Sequence, residues 1–352
     1  MNETATLNAP TWMQENRACV SRQLQWVRAL LGRRVLWLRH TWTHQSLHGV
    51  AISDAEADWL LAGEDRNAEA VFYATDPAAV AATATLHAAE CDASEARARM
   101  ARSGTPSALD ILSRTFSLTR ADETILLLCL APEVDPAFER LYAYVQDDVT
   151  RRFVTPHVVE TLLAGDDARG RLYPDAPLRR YRLLAHDTQS GHTTLRLGER
   201  MVDYLLGTNR VEPTLAEMLD AIAVVPLSAS QERLAAELAE VWRARWAAHA
   251  SAHVTLVGEE RSGRRAVTAR AGEMVDLRVC EISAHALLTA REAPEELIHL
   301  LAREAAACRL AYVVDATNLD ASDHTARRLA HERVARCACE SHLIRMVLLA
   351  FA

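Results

Sequence analysis

The chain has 352 residues and a net charge of −8; 50% of its residues are hydrophobic, 24% are charged and 5% are aromatic. That length exceeds what one hydrophobic core usually organises, so two or three domains are expected, and the acidic balance disfavours a protein that coats nucleic acid. No apolar run approaches the roughly 20 residues that span a bilayer, and the N-terminus lacks the basic end and apolar core of a signal peptide, so a cytoplasmic protein without a membrane partner is expected.

Residues 1–105 are predicted to form a helical N-terminal region. Its first 14 residues carry no periodic pattern and are expected to be disordered. From Glu15 to Thr43, apolar residues recur at three- and four-residue steps, which predicts an amphipathic helix. The alanine-rich segment 64–105 is also predicted to be helical, with a break at Asp76 and Pro77.

The segment 106–210 is predicted to form a winged-helix-like domain. Four short helices are expected first, at 107–116, 119–129, 135–149 and 155–165. Thr119 and Thr155 are predicted N-caps of the second and fourth helices, because threonine oxygens accept hydrogen bonds from first-turn amides. Two alternating runs, YRLLAH and TTLRLG, follow and are joined by DTQSG, which predicts a β-hairpin. Helices followed by a small hairpin are typical of a winged helix.

The charge of this domain argues against a DNA-reading role. Residues 107–210 contain 13 Arg and 15 acidic residues, which leaves a net charge of −2. The helix at 155–165, which would enter a groove, has no Arg, carries Glu160 and runs into Asp166 and Asp167. DNA affinity depends on neutralising phosphates with basic side chains. We therefore expect a structural or protein-binding module without a nucleic-acid partner, and a winged-helix DNA-binding regulator remains an alternative.

Residues 211–250 are predicted to be a helical connector, and residues 251–352 an α/β module. The connector contains a strongly patterned helix whose apolar face is expected to pack on the module. Strands are expected at 254–257, 275–282, 310–317 and 342–352, with helices at 264–271, 294–307 and 322–338. Strands that alternate with helices predict a parallel sheet with crossover helices.

One motif in this module has the spacing of a phosphate-binding P-loop. Gly258 and Gly263 lie between a strand and a helix, where loop amides and the helix N-terminus can meet phosphate. A P-loop continues with Lys, which reaches the β- and γ-phosphates, and with Ser or Thr, whose hydroxyl binds Mg²⁺. Arg264 and Arg265 occupy those two positions here. Asp315 ends a later apolar strand, as does the Walker B Asp that helps to hold Mg²⁺.

The replaced side chains leave three interpretations open. Arg264 keeps a positive charge on a bulkier, planar head, whereas Arg265 has no oxygen to offer a metal and would repel a cation. Ala316 follows Asp315, at the position where hydrolysing ATPases carry a Glu that activates water. The loop is then either a turn that binds no phosphate or a weak ATP site. Binding of Mg²⁺ is disfavoured in both cases, and no catalytic residue is predicted. An ATPase that tolerates these replacements is the alternative.

The cysteines do not suggest a metal site. Seven of them are scattered along a chain without a signal peptide, which is typical of reduced thiols. Cys337 and Cys339 lie close together between His331 and His342. Their one-residue gap is tighter than the roughly two to four residues that usually separate zinc ligands. No metal site is therefore predicted.

Three stretches have the pattern of a known family: FSLTRADETILLLCLAPEVDPAFERLYAYVQDDVTRR at 116–152, LYPDAPLRRYRLL at 172–184 and LGERMVDYLLG at 197–207. They resemble the winged-helix region that precedes the ATPase modules in a family of bacterial AAA-type ATPases, some of them associated with extracellular contractile injection systems. The resemblance covers roughly residues 20–350. It implies an ATP-driven, ring-forming protein that remodels other proteins and whose partners are AAA-type subunits or a further C-terminal ATPase module.

The resemblance also assigns the residues of the motif. Gly258 and Gly263 match the P-loop glycines, Arg264 the Lys position, Arg265 the Ser/Thr position and Asp315 the Walker B Asp. In such proteins the module next to the winged helix can be degenerate, with an active module further along.

The predicted fold class is multidomain: a mainly α N-terminal region with a winged helix, followed by an α/β P-loop NTPase-like parallel sheet. The sheet stops at its fourth strand, which predicts an incomplete AAA core and a fragment of a longer protein. The strand at 254–257 would then be an exposed apolar edge, which folded proteins normally cover.

Overall fold

The computed structural model describes residues 9–41, 61, 66–163, 168–189, 192–248, 250, 252–258, 263–290, 294–315, 328, 332 and 345–350. The chain divides into two compact units. The first comprises Met1–Arg179 and Leu183–Thr208, and the second comprises Arg180–Arg182 and Asn209–Ala352. The further divisions expected near residues 105 and 250 stay a prediction.

The first helices that the structure describes in the first unit are α1 (Ala9–Thr41), α2 (Arg66–Thr75) and α3 (Pro77–Arg102). The break between α2 and α3 falls at Asp76, because its carboxylate accepts hydrogen bonds from the first two free amides of α3 at 2.9 Å. The expected disorder of the first 14 residues is wrong from Ala9 onward. There the indole N–H of Trp12 donates to the carbonyl of Pro106 at 3.2 Å and fixes the first turns of α1.

The rest of the first unit has the helices and hairpin of a winged helix. Its elements are α4 (Ala108–Phe116), α5 (Arg120–Val134), α6 (Ala137–Val145), α7 (Pro156–Leu162), α8 (Pro177–Arg180), β1 (Ala185–Gln189), β2 (His192–Arg196) and α9 (Glu199–Leu205). β1 and β2 form the predicted antiparallel hairpin, and Val154, just before α7, adds a bridge to Leu195 of β2. β1 begins later than its alternating run predicts, because the amide of Leu184 donates to the carbonyl of Leu178 at 2.9 Å.

Both predicted threonine caps are confirmed. Thr119 forms a capping box at the start of α5, in which its hydroxyl accepts from the amide of Asp122 and the Asp122 carboxylate accepts from the amide of Thr119 at 2.8 Å. Thr155 caps α7 by accepting from the amide of Val158 at 3.3 Å. The local sequence therefore fixes where these two helices begin.

Asn16 ties α1 to the winged-helix elements. Its side chain is fully buried. The Nδ2 group donates to the carbonyl of Leu205 at 2.8 Å, and Oδ1 accepts from the amide of Ala108 at 2.9 Å. Because burying an amide is favourable only when its polar atoms are bonded, these two contacts determine how α1 lies against α4 and α9.

A cluster of charged side chains centred on Arg97 joins α3, α4 and α5. The Arg97 guanidinium donates to Asp110 from Nε at 2.8 Å and to Glu123 from Nη1 and Nη2 at 2.6 and 2.9 Å. Asp110 also accepts from the Ser107 hydroxyl at 2.6 Å. Burial opposes the ionisation of Asp110, but the hydrogen bonds from Arg97 and Ser107 outweigh it and hold the pKa of Asp110 below its usual range.

The second unit alternates helices and strands. Its elements are α10 (Pro213–Ala216), β3 (Asp220–Ala221), α11 (Ala229–Ala247), β4 (Ala252–Val257), α12 (Arg264–Met274), β5 (Arg278–Ser283), α13 (Ala284–Thr289), α14 (Pro294–Ala307), β6 (Leu310–Asp315) and β7 (Arg345–Ala350). The helix predicted at 322–338 lies outside the described residues apart from Arg328 and Glu332. None of the helices that the structure describes, in either unit, has the length and apolarity needed to cross a membrane.

The five strands of the second unit form one mixed sheet in the order β3-β5-β6-β7-β4. β5, β6, β7 and β4 run parallel, as the alternation of strands and helices predicts, and the short β3 pairs antiparallel with β5. Among the described strands, β4 lies at one edge of the sheet and pairs with β7. Its last residue, Val257, is 60% exposed. The strand that leads into the glycine loop is thus an outer strand of this sheet.

The connector helix α11 packs on this sheet together with α12, as its apolar face predicts. Trp242 and Leu238 of α11 share one core cluster with Val267 of α12 and with Val313 and Val347 of the strands. Trp242 is fully buried and supplies the largest side chain of the cluster. This packing fixes the start of α12, and hence the end of the glycine loop, against the sheet.

The Arg97 cluster predicts a pH-dependent contribution to stability. Replacing Asp110 with Asn is expected to lower the free energy of unfolding at pH 7 by about 1.5–3 kcal/mol, the range for hydrogen bonds to charged groups. Because the folded-state pKa of Asp110 is depressed, this stability is present above the unfolded-state pKa of about 3.9 and is lost as the pH falls through the folded-state pKa.

Urea unfolding at several pH values measures the effect, and Asp92→Asn, in an exposed residue of α3, is the control. A deficit in Asp110→Asn that stays constant from pH 7 to strongly acidic pH would contradict this assignment.

Candidate functional site

The predicted glycine loop connects β4 to α12, at the end of the sheet where the parallel strands terminate. Val257 closes β4 in register with Ala350 of β7, and Gly258 follows it directly. Residues 259–262 lie outside the described residues, and Gly263 resumes the chain as the N-cap of α12. Ligands of open α/β sheets bind at this carboxyl end of the strands, so the loop stands where a ligand site is expected.

Gly263 adopts a backbone conformation that favours glycine. Its φ is 78° and its ψ is 18°, in the left-handed region where a Cβ atom clashes with the backbone. A Cβ at this position would also lie 2.5 Å from Nε2 of Gln231 on α11. The left-handed backbone therefore favours glycine at this position whether or not the loop meets a phosphate.

Arg264, at the P-loop Lys position, lies against the strand that precedes the loop. It is the first residue of α12 and is 7% exposed. Its Nη1 donates to the carbonyl of Leu256 in β4 at 3.4 Å, and its own carbonyl accepts from the Thr268 hydroxyl at 2.9 Å. The guanidinium is thus turned back towards the sheet in this structure.

Arg265, at the Ser/Thr position, forms a two-pronged ion pair with Glu281 of β5. Its Nε donates to Oε2 at 2.7 Å and its Nη2 donates to Oε1 at 2.9 Å. A planar guanidinium matches a carboxylate in this way, which makes the pair more directional than a Lys pair. Where the predicted motif requires a hydroxyl, this chain therefore has a guanidinium that is paired with Glu281.

Asp315 ends β6 at the same edge of the sheet as the loop. Its backbone is in register with Ser283, the last residue of β5, and with Leu349 of β7. β7 separates β6 from β4, so the Asp315 position and Gly258 lie one strand apart at the carboxyl ends of the strands. The strand order thus places these two predicted site positions at one edge, and the side chain of Asp315 is outside the described residues.

The described side chains do not fit a Mg²⁺-bound nucleotide. The hydroxyl ligand is replaced by Arg265, whose guanidinium already pairs with Glu281 and would oppose a divalent cation. Within the residues that the structure describes, no group of three or more His, Cys, Asp and Glu side chains is arranged to hold a metal ion.

The helix that would enter a DNA groove has a neutral to acidic surface. α7 turns Val158 and Val159 into the core, which leaves His157 exposed and Glu160 half-buried. Arg169, the basic residue nearest in sequence after α7, lies 3.8 Å from Glu160 and partly neutralises it. This surface lacks the cluster of Arg or Lys that phosphate contacts require.

A comparison with protein families identifies the class of the first unit. The family model described as "Winged helix domain, variant" matches residues 41–219, about half of the chain. The chain belongs to this family, which confirms the predicted winged helix. No curated protein matches the sequence.

The sequence motif includes Gly263, Arg264 and Arg265 but not Glu281, the residue with which Arg265 pairs. A signal was present, because Glu281 lies inside a strand whose neighbours Cys280 and Ile282 are buried. A carboxylate in such a strand requires a partner. The identity of that partner depended on the strand order, which local patterns do not give.

The Arg265–Glu281 pair is testable by a double-mutant cycle. Arg265→Ala, Glu281→Ala and the double variant are expected to give a coupling free energy of about 1 kcal/mol, near the upper end for partly exposed pairs. Urea unfolding of the four proteins measures it. The control cycle pairs Arg265→Ala with Glu237→Ala, an exposed residue of α11, and should give a coupling near zero. Equal coupling in both cycles would mean that the ion pair does not form in solution.

Proposed function

We propose that the chain is part of an AAA-type ATPase-like protein that acts in protein remodelling or assembly, with a protein-binding winged helix and a P-loop-like module that does not hydrolyse ATP. The resemblance of residues 116–152, 172–184 and 197–207 to contractile injection system-associated ATPases supports this class. Its partners are then other protein subunits, either AAA-type copies or a further ATPase module.

The ion pair between Arg265 and Glu281 is the observation that carries the proposal. ATP hydrolysis in P-loop enzymes relies on Mg²⁺ to bridge the β- and γ-phosphates and neutralise developing charge. A guanidinium fixed at the metal-binding position excludes that ion. The module can then have an NTPase-like fold and not hydrolyse ATP.

The arrangement of the second unit supports its NTPase-like character. Four parallel strands run in the order β5-β6-β7-β4, and the glycine loop leads from β4 directly into the N-terminus of α12. Amides at such a helix start favour an anion, which supports weak nucleotide binding without Mg²⁺. The loop could therefore bind phosphate without supporting ATP hydrolysis.

The winged helix is better suited to protein than to DNA. The helix that would enter a groove, α7, combines the exposed His157 with Glu160, and residues 107–210 carry a net charge of −2, from 13 Arg and 15 acidic residues. A DNA-bound protein gains affinity by neutralising phosphates, which this surface would repel. A protein partner imposes no such requirement.

Calorimetric titration of ATP and ADP, with Mg²⁺ and with EDTA, tests the proposal. The dissociation constant is expected to be no tighter than about 1 mM and to be unchanged by Mg²⁺, because Arg265 occupies the metal position. The Arg265→Ser variant is the matched comparison, since it restores the hydroxyl and frees Glu281. An ATP affinity of the wild type that rises at least tenfold with Mg²⁺ would contradict the proposal.

Phosphate release distinguishes this proposal from an active ATPase. We expect no turnover above the buffer rate in the wild type and no difference in Asp315→Ala. Mg²⁺-dependent turnover that falls in Asp315→Ala would show that the replaced side chains are tolerated, and the non-hydrolysing function would then be wrong.

A further inference from the structure

An open groove crosses the amino ends of β5 and β6 in the second unit. Its volume is about 480 Å³, within the roughly 300–1,000 Å³ that small-molecule sites occupy. Its walls come from the chain that begins as β3, from α12, and from the turns that lead into β5 and β6. Because β4 runs parallel to β5 and β6, the groove lies at the opposite end of the strands from the glycine loop. It is therefore separate from the site of the proposed function.

One wall of the groove is apolar. It is formed by Ile222 and Val224, by Leu277 and Val279 at the start of β5, and by Ala269 of α12. The amide of Ile222 donates to the carbonyl of Val279 at 3.0 Å and closes the wall at the end of β3. Val224, two residues further on, is 46% exposed. An apolar surface that is open to solvent in a concave wall favours contact with the carbon atoms of a ligand.

Three of the four charged side chains that line the groove are paired with an opposite charge. Nη2 of Arg309 lies 2.9 Å from Oδ2 of Asp276. Glu273 is ion-paired with Arg270, which precedes it by three residues on α12. These pairs leave Arg278 as the fourth charged side chain.

Arg278 is exposed at the first position of β5. The acidic residues nearest to it in sequence, Asp276 and Glu281, are paired with Arg309 and Arg265. Among the residues that the structure describes, none supplies a carboxylate that forms an ion pair with Arg278. Its guanidinium is therefore an accessible positive charge beside the apolar wall.

The remaining polar groups near Arg278 do not neutralise its charge. Burial raises the pKa of the Cys280 thiol, although the Arg278 guanidinium opposes that rise, so the thiol is uncharged at pH 7. The Cys308 thiol donates to Oδ1 of Asn209 at 3.2 Å, and Nδ2 of Asn209 donates to the carbonyl of Ala307 at 2.6 Å. The groove thus combines one uncompensated cation with an apolar wall.

We propose that this groove binds a small aliphatic monocarboxylate, with the carboxylate on Arg278 and the carbon chain along the apolar wall. A guanidinium and a carboxylate match through two parallel N–H···O bonds, which a neutral alcohol cannot form. A second carboxylate at the far end of the ligand would meet Glu273 and Asp276, whose negative charges already have their arginines. The charges of the groove therefore select one carboxylate and disfavour two.

Hexanoate is the probe that tests this proposal, titrated into the full chain and followed in ¹H–¹³C spectra of the methyl groups. Saturable shifts are expected in the methyl groups of Val224 and Val279. Hexanol, which has the same carbon chain without the charge, and adipate, which has a second carboxylate at the far end, should each bind at least tenfold more weakly. Acetate should also bind at least tenfold more weakly, because it lacks the carbon chain that the wall covers.

Arg278→Gln should remain folded, because the side chain is exposed, and should reduce hexanoate binding at least tenfold, to the level of hexanol. Arg233→Gln, in an exposed residue of α11, is the matched control and should bind hexanoate as the wild type does. Two results would overturn the proposal. One is hexanoate binding that is unchanged in Arg278→Gln, and the other is the absence of saturable shifts in the wild type up to about 50 mM hexanoate.

Discussion

The ion pair between Arg265 and Glu281 joins the first turn of α12 to the parallel sheet. The described chain before it has the order of the predicted motif: a strand that ends at Val257, the left-handed Gly263 and the start of α12. At the position where that motif has Ser or Thr, the guanidinium is held by a carboxylate of β5. Under the proposed function, this pair is the reason why the loop would not bind Mg²⁺.

Arginine side chains form internal ion pairs elsewhere in this chain too, and the chain contains no lysine. Arg97 joins three helices of the first unit by bonding to two carboxylates at once. Arg303 in the second unit is 3% exposed and also bonds to two carboxylates, those of Glu212 at 2.6 Å and of its neighbour Glu304 at 2.9 Å. Each site uses the planar fork of donors that arginine offers and lysine lacks. The pair between Arg265 and Glu281 therefore follows the same pattern of internal pairing.

Short sequence patterns predicted the elements that depend on interactions between residues close together in the sequence. The Thr119 and Thr155 caps, the hairpin, and the strand–loop–helix order around Gly263 follow from capping, alternation and spacing. Glu281 could not be matched with Arg265, because that contact depends on how β5 lies relative to α12.

The thermal unfolding midpoint of the wild-type chain in about 5 mM Mg²⁺-ATP, compared with the midpoint in about 5 mM ATP with EDTA, shows whether the folded chain binds a metal-bound nucleotide, because a ligand that binds only the folded state raises that midpoint. The same midpoint is expected in both conditions, since Arg265 stands where the predicted motif has a metal-binding hydroxyl. A midpoint that is higher with Mg²⁺-ATP than with ATP and EDTA would show that the loop accepts a metal-bound nucleotide despite the ion pair, and the proposed function would then be wrong.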